Sequence, residues 1–259
     1  MEEKRRENNN RKDEGQAAVT SDFTLHGRQE RRRRVVRRLQ RAQVVYLTVL
    51  ALFTTLALLA HADAYFSWDV TAARSLQSLS SPALDQAMSA VSVFGNTWKP
   101  WALATATTAL FLAWRKRSEA FGLIFSAGGG AALNALLKLL IARPRPSSDL
   151  VTVFRRVGGR SFPSGHVTFY VCYFGFLFFL AYAHLPRGSL IRRAALILTA
   201  TPIALVGLSR IYLGAHWPSD TIGAYLMSGL WLALSLHLYR RWKESEPVSR
   251  RGQSASSQA

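Results

Sequence analysis

Between two apolar runs the chain reads Ser209-Arg210-Ile211-Tyr212-Leu213-Gly214-Ala215-His216-Trp217-Pro218-Ser219-Asp220, which sets a cation, an imidazole and a carboxylate close together. Asp220 follows His216 by four residues, so the two share a helix face or meet across a tight turn. The carboxylate then fixes the ring's tautomer and raises its basicity. An imidazole so placed serves as a nucleophile or a general base. A second histidine, His166, ends the stretch Arg160-Ser161-Phe162-Pro163-Ser164-Gly165-His166. Pro163 disfavours helix at Phe162, and Ser164 and Gly165 bring a hydroxyl and backbone N–H groups to a helix start, a ready anion site. A third patch holds Lys138, with Asn134 one turn before it, and then Arg143-Pro144-Arg145-Pro146, whose prolines stop a helix and keep two guanidinium groups near its end.

Together Lys138, Arg145, Ser164, His166, Arg210, His216 and Asp220 suit a tetrahedral or trigonal-bipyramidal anion. Three cations and helix N-terminal amides neutralise its equatorial oxygens as charge builds in the transition state. One histidine attacks phosphorus, oriented by Asp220, and the other protonates the departing oxygen. No Asp, Glu, His or Cys cluster with metal-ligand spacing accompanies them, so a reaction without metal or cofactor is expected.

The elements that must position these residues are membrane spans. Uncharged or nearly uncharged apolar runs fall at 44–60, 98–114, 120–141, 166–183, 194–208 and 221–239. They predict an all-α, polytopic bundle of six transmembrane helices, the second and fifth borrowing flanking residues to reach across the bilayer. The mean hydropathy of only +0.06 reflects dilution by polar tails. The first run lacks a convincing A-x-A cleavage site and is read as a retained span. Residues 1–42 are expected to be a basic, largely disordered cytoplasmic tail, 43–241 the six-span domain, and 242–259 a second disordered cytoplasmic tail. Within the first tail, residues 31–41 have the pattern of a basic helix for the inner leaflet.

Arg31 to Arg34, Arg115-Lys116-Arg117, Arg187 with Arg192-Arg193, and Arg240-Arg241 all fall on one side of such a bundle. The positive-inside bias makes that side the cytoplasm and leaves the loops 63–99 and 142–165 and the junction 209–220 outside. The 142–165 loop breaks the bias with Arg143, Arg145, Arg155, Arg156 and Arg160, which calls for an anionic ligand on the outer face.

The net charge of +18 lies largely in juxtamembrane clusters without aromatic stacking platforms, which points to anionic lipid headgroups and away from nucleic acid. The lone Cys172 excludes a disulfide framework or a thiolate metal site. In the first outer loop, residues 83–94 have a helical apolar period and are expected to lie in the interface or re-enter it, with Asp69, Arg74 and Asp85 solvated or paired. Gly128-Gly129-Gly130 in the third run lets helices approach closely.

In residue types, order and spacing, three stretches resemble the signature of the type 2 phosphatidic acid phosphatase superfamily: Lys138 to Arg145-Pro146, Pro163-Ser164-Gly165-His166, and Ser209-Arg210 through His216 to Asp220. The resemblance covers residues 63–239. It implies a helical core with one phosphate pocket shared by the three stretches. By similarity His216 is the nucleophile that forms a phosphohistidine, Asp220 its orienter, and His166 the acid for the leaving group and then the base for water. Lys138, Arg145, Ser164, Gly165 and Arg210 cradle the phosphoryl oxygens. Arg143 is left outside the site and assigned to lipid headgroups.

The expected substrate is a lipid mono- or diphosphate such as phosphatidic acid, phosphatidylglycerol phosphate or undecaprenyl diphosphate. The pocket would stand at the extracytoplasmic face of a multi-pass cell-membrane protein. Phosphotransfer to another lipid acceptor, and a non-catalytic lipid-binding protein, are the alternatives; vanadium haloperoxidases share the constellation but are typically soluble. Oligomeric state is not encoded legibly.

Overall fold

A computed structural model describes residues 33–34, 36–155 and 157–245. The outer parts of both polar tails, 1–32 and 246–259, lie outside the described residues. The chain divides into two units, 1–48 and 49–259. Of the first, the described residues are helical, including the basic stretch from Val36 to Arg41. All site residues belong to the second.

Among the described residues every regular element is helical. Helix α1 is Val36–Ala62. It is followed by α2 (Ser67–Gln77), α3 (Pro82–Val91), a 3₁₀ turn (Val93–Gly95), α4 (Lys99–Ala113), α5 (Arg117–Leu123), a π turn (Ile124–Gly128) and α6 (Gly129–Ile141). Then come α7 (Gly165–His184), α8 (Leu190–Tyr212) and α9 (Pro218–Ser245). Five helical stretches are long and apolar enough to cross a membrane: Val36–Ala62, Arg117–Ile141, Gly165–His184, Leu190–Tyr212 and Pro218–Ser245. The remaining apolar run forms α4, whose 15 residues reach about 22 Å, short of a bilayer core of about 30 Å. Helix α8 is longer than its apolar run, because Ser189 caps it by accepting from the Arg192 N–H and the helix includes Arg192-Arg193. Helix α9 continues to Ser245, beyond the domain boundary at 241 read from the sequence.

Helix α7 is apolar on all sides and takes the central place, packed against α6, α8 and α9. Phe176, Tyr173, Leu123 and Tyr239 close the core at one end of the bundle. Phe162, Ile141 and Met227 close it beneath the site, with Phe53 stacked on Phe162 at 6.2 Å between ring centroids. The small residues of the third run act as expected. A Cβ on Gly129 would lie 2.4 Å from the Trp231 ring and one on Gly130 2.7 Å from Cys172 Sγ, so α9 and α7 reach this segment only because it lacks side chains. Trp231 Nε1 in turn donates to the Phe125 and Ser126 carbonyls of the π turn, which satisfies backbone groups that the turn displaces from the regular ladder.

Candidate active site

The site gathers at the end of the bundle where α6 stops, α7 and α9 start and α8 stops. Helix α6 ends at Ala142, whose φ of +57° and ψ of 18° are left-handed, a conformation costing a non-glycine residue about 1 kcal/mol or more. Pro144 then keeps Arg143 extended. The chain is thereby turned inward. Main-chain bonds tie the stretches together, from Ser161 N–H to the Arg143 carbonyl at 2.8 Å and from Ser164 N–H to the Asp220 carbonyl at 3.2 Å. Asn134, one turn before Lys138, donates from Nδ2 to the Pro163 carbonyl and to Thr168 Oγ1, clamping the loop that leads into α7.

Helix α9 positions the carboxylate by its own start. Pro218 occupies the first helical position, where a missing N–H costs nothing, and Asp220 reaches back so that its Oδ2 accepts the Trp217 N–H at 2.9 Å. Asp220 is fully buried. Its Oδ2 also accepts from Ser161 Oγ, and its Oδ1 pairs with Arg143 Nη1 at 2.8 Å. His216 Nδ1 stands 3.5 Å from Asp220 Oδ2 and 3.4 Å from Ser161 Oγ.

On the other side of the ring, His216 Nε2 lies 3.2 Å from Arg145 Nη1. A guanidinium can only donate, so Nε2 presents its lone pair and the ring proton is on Nδ1, facing Asp220. Burial, and then the positive charges of Arg145, Lys138 and Arg210, push the His216 pKa well below its ordinary value. The imidazole is therefore neutral at neutral pH, with its free lone pair turned toward cations.

Arg145 is held by carbonyls of Gly158, Gly159 and Ala215. Burial lowers its pKa, and Asp220 opposes that shift. Lys138 Nζ donates to the carbonyls of Arg160 and Ser161. Arg210 is buried and gives Nη1 to Ser92 Oγ at 3.2 Å. Ser164 is the N-cap residue of α7, but its hydroxyl makes no capping bond. Ser164 Oγ and Arg210 Nε are both buried without a hydrogen-bond partner among the described protein groups. Two orphaned polar groups among cations fit an anion that supplies acceptors. Gly165 opens α7 just beside them. His166 lies within electrostatic reach of Arg210, His216, Arg145 and Lys138. All eight residues singled out in the sequence thus converge on one end of the bundle.

One reading is corrected. Arg143 does not meet lipid headgroups: it is 1% exposed, bridging Asp220 and Asp69, with Nη2 2.9 Å from Asp69 Oδ2. Its Nη1 also donates to Ser219 Oγ and its Nε to the Asp63 carbonyl. Asp69 is paired as expected, but fully buried, and accepts in addition from Ser219 N–H and Oγ. A buried cation between two buried carboxylates is what makes each of them tolerable.

Nothing in the sequence signals that the segment between α3 and α4 reaches the site. Asn96 Oδ1 lies 2.9 Å from His166 Nε2, Gly95 backs the His166 ring, and Ser92 Oγ contacts Ser209 Oγ at 2.6 Å as well as Arg210. The only available signals were the small and amide residues Ser92, Gly95 and Asn96, too common in loops to stand out.

Residues 119–244 match the family model described as the PAP2 superfamily. The chain carries a PAP2 superfamily domain. That match encloses all three stretches of the site. The chain is 28% identical to phosphatidylglycerophosphatase B of Bacillus subtilis (strain 168) over 173 residues, covering 67% of this chain and 84% of that protein. Its fold is similar to the crystal structure of a transmembrane PAP2-type phosphatidylglycerolphosphate phosphatase from Bacillus subtilis, with a TM-score of 0.66 and 26% identity over 76% of this chain and 96% of the other. It is similar also to the crystal structure of Aquifex aeolicus LpxE, with a TM-score of 0.50 and 26% identity over 66% of this chain and 96% of the other. With five apolar helices of spanning length and this domain match, the chain is a multi-pass membrane protein similar to membrane PAP2 phosphatases.

Proposed function

We propose that this PAP2 protein is a lipid phosphate phosphatase that works through a phosphohistidine on His216. The observation that supports this most directly is the place of that ring between Asp220 at Nδ1 and Arg145 at Nε2, from which Nδ1–H toward the carboxylate and an Nε2 lone pair toward the guanidinium follow. In the first step the Nε2 lone pair attacks phosphorus. The bond to the leaving oxygen breaks, and that oxygen takes a proton from His166. In the second step water attacks the phosphohistidine and gives its proton to His166. The P–N bond then breaks, its electron pair returning to Nε2, and phosphate leaves.

Asp220 orients the nucleophile and stabilises the positive ring. Arg143 and Ser161 hold Asp220. Lys138, Arg145, Arg210, Ser164 Oγ and the Gly165 N–H take the equatorial oxygens. A sixth span formed by α4 with its flanks, cytoplasmic termini and an extracytoplasmic site complete the reading, in line with the basic segments at the ends of the helices away from the site.

The deciding assay is phosphate release by detergent-solubilised protein from phosphatidic acid, phosphatidylglycerol phosphate and undecaprenyl diphosphate, with EDTA present. Release that survives the chelator is expected, and the three rates rank the substrates. A folded protein that releases phosphate from none of them would contradict the proposal.

The electrostatics of His216 give a pH prediction. Its pKa is depressed from an ordinary value of about 6.5, so in the free enzyme the ring stays neutral as pH falls through that value. The acid limb of kcat/KM owed to His216 is expected below pH 6.5. A limb at or above 6.5 that is absent from the substrate's own titration would contradict the assigned environment.

Gly95 yields a steric one. A Cβ there would stand 2.2 Å from His166 Cδ2, so Gly95→Ala must displace the ring. A misplaced acid is expected to lower kcat by about 100-fold with little change in KM. Unchanged kcat would show that the ring's position against Gly95 does not matter to turnover.

A further inference from the structure

The segment Ser92 to Asn96 is built as carefully as the three signature stretches. Tyr170, one turn along α7 from His166, donates its hydroxyl to the Val91 carbonyl at 2.6 Å and accepts the Phe94 N–H at 3.2 Å. Ser209 Oγ bonds to the Met88 carbonyl at 2.6 Å and contacts Ser92 Oγ, which also accepts from Arg210. Thr97, directly after Asn96, has a φ of +48°, unfavourable for a β-branched residue. Strain of this kind persists where the surroundings dictate the backbone. What the segment delivers is the Asn96 carboxamide, 2.9 Å from His166 Nε2.

With Nε2 engaged by Asn96, Nδ1 is the His166 nitrogen left to give the leaving oxygen its proton and later to take the proton from water. We infer that Asn96 is a positioning residue that holds His166 competent in both half-reactions. This rests on the phosphatase reading above. The Asn96 Oδ1 accepts Nε2–H in both half-reactions, so only Nδ1 gains and loses the transferred proton. Being neutral, the carboxamide biases neither protonation state. The charged and titratable groups facing His166 from the other elements are Lys138 of α6, Arg145 and His216 of the loops, and Arg210 of α8. All but His216 are cations that oppose protonation, so a negative charge placed at Nε2 is the one change there that would hold the ring protonated.

The test compares Asn96→Asp, which keeps the shape, with Asn96→Ala, which removes the partner. The readouts are steady-state phosphoenzyme, the pH profile of dephosphorylation, and phosphate release. In Asn96→Asp the carboxylate keeps His166 protonated. The base for water is then missing at neutral pH, phosphoenzyme accumulates above the wild-type level, and dephosphorylation requires higher pH. A fall in turnover of about 10-fold at pH 7 is expected. Asn96→Ala is expected to slow both steps without moving the profile.

Wild-type phosphoenzyme levels and profile in Asn96→Asp would overturn the assignment. So would equal losses in both variants with no shift, which would mark a purely structural contact. An inactive wild type would instead sink the phosphatase reading, and this assignment with it.

Discussion

His216→Ala is expected to reduce phosphate release by on the order of 10⁴-fold or more, the scale seen when an essential group of a nucleophilic triad is removed. The variant is expected to stay folded. Asp220 keeps Arg143 Nη1, Ser161 Oγ and the Trp217 N–H as partners, so deleting the ring leaves no orphaned carboxylate. Loss of activity and loss of structure are therefore separable here. The check is phosphate release together with alkaline trapping of labelled phosphoenzyme, alongside thermal unfolding in the same detergent. Substantial turnover, or phosphoenzyme in the variant, would move the nucleophile elsewhere, and His166 would be the next residue to test.

The second large effect is expected at Arg143. Its guanidinium reaches both Asp69 and Asp220, and all three side chains are fully buried. Arg143→Met leaves two carboxylates out of water with no cation between them. Removing one partner from a buried ion pair typically costs about 3–5 kcal/mol, and two carboxylates are affected here. A drop of that size in unfolding free energy, with turnover lost, is expected from denaturant titration in detergent. Adding Asp69→Asn should recover part of the stability, because one uncompensated charge is gone and the amide can still accept from Ser219. If Arg143→Met unfolds like the wild type, the buried triad does not carry the weight given to it here.

These two residues show where reading from sequence works and where it stops. His216 was legible because its partner is four residues away in the same stretch, and local chain geometry brings the two together. Lys138, Arg145, Ser164, His166 and Arg210 were legible because each sits where an apolar run begins or ends, and spans of similar length bring their ends to the same level. Arg143 was not. It stands two residues before Arg145, and which of the two enters the site depends on the left-handed turn at Ala142 and on Asp69, 74 residues earlier in the chain. Of the five arginines in the 142–165 loop, Arg145 stands beside His216. Arg143 serves a buried triad, and Arg160 donates to the Lys138 and Leu139 carbonyls at the end of α6.

The helices follow the same division. Apolar runs located five helices of spanning length, because hydropathy is additive along a segment. The true ends of α8 and α9 went beyond those runs, since caps and interior packing extend a helix through charged residues that hydropathy excludes.

By itself, then, the sequence determined the membrane helices and the residue types that gather at the candidate site, because both are written in local composition and short spacing. Only the tertiary structure decided that Asp69 and Arg143 stand behind Asp220, and that Ser92, Gly95 and Asn96 stand beside Arg210 and His166. Those contacts join residues some 70 to 118 positions apart. A hydrogen bond or ion pair at such separation depends on how helices dock, and no periodicity or motif along the chain records it.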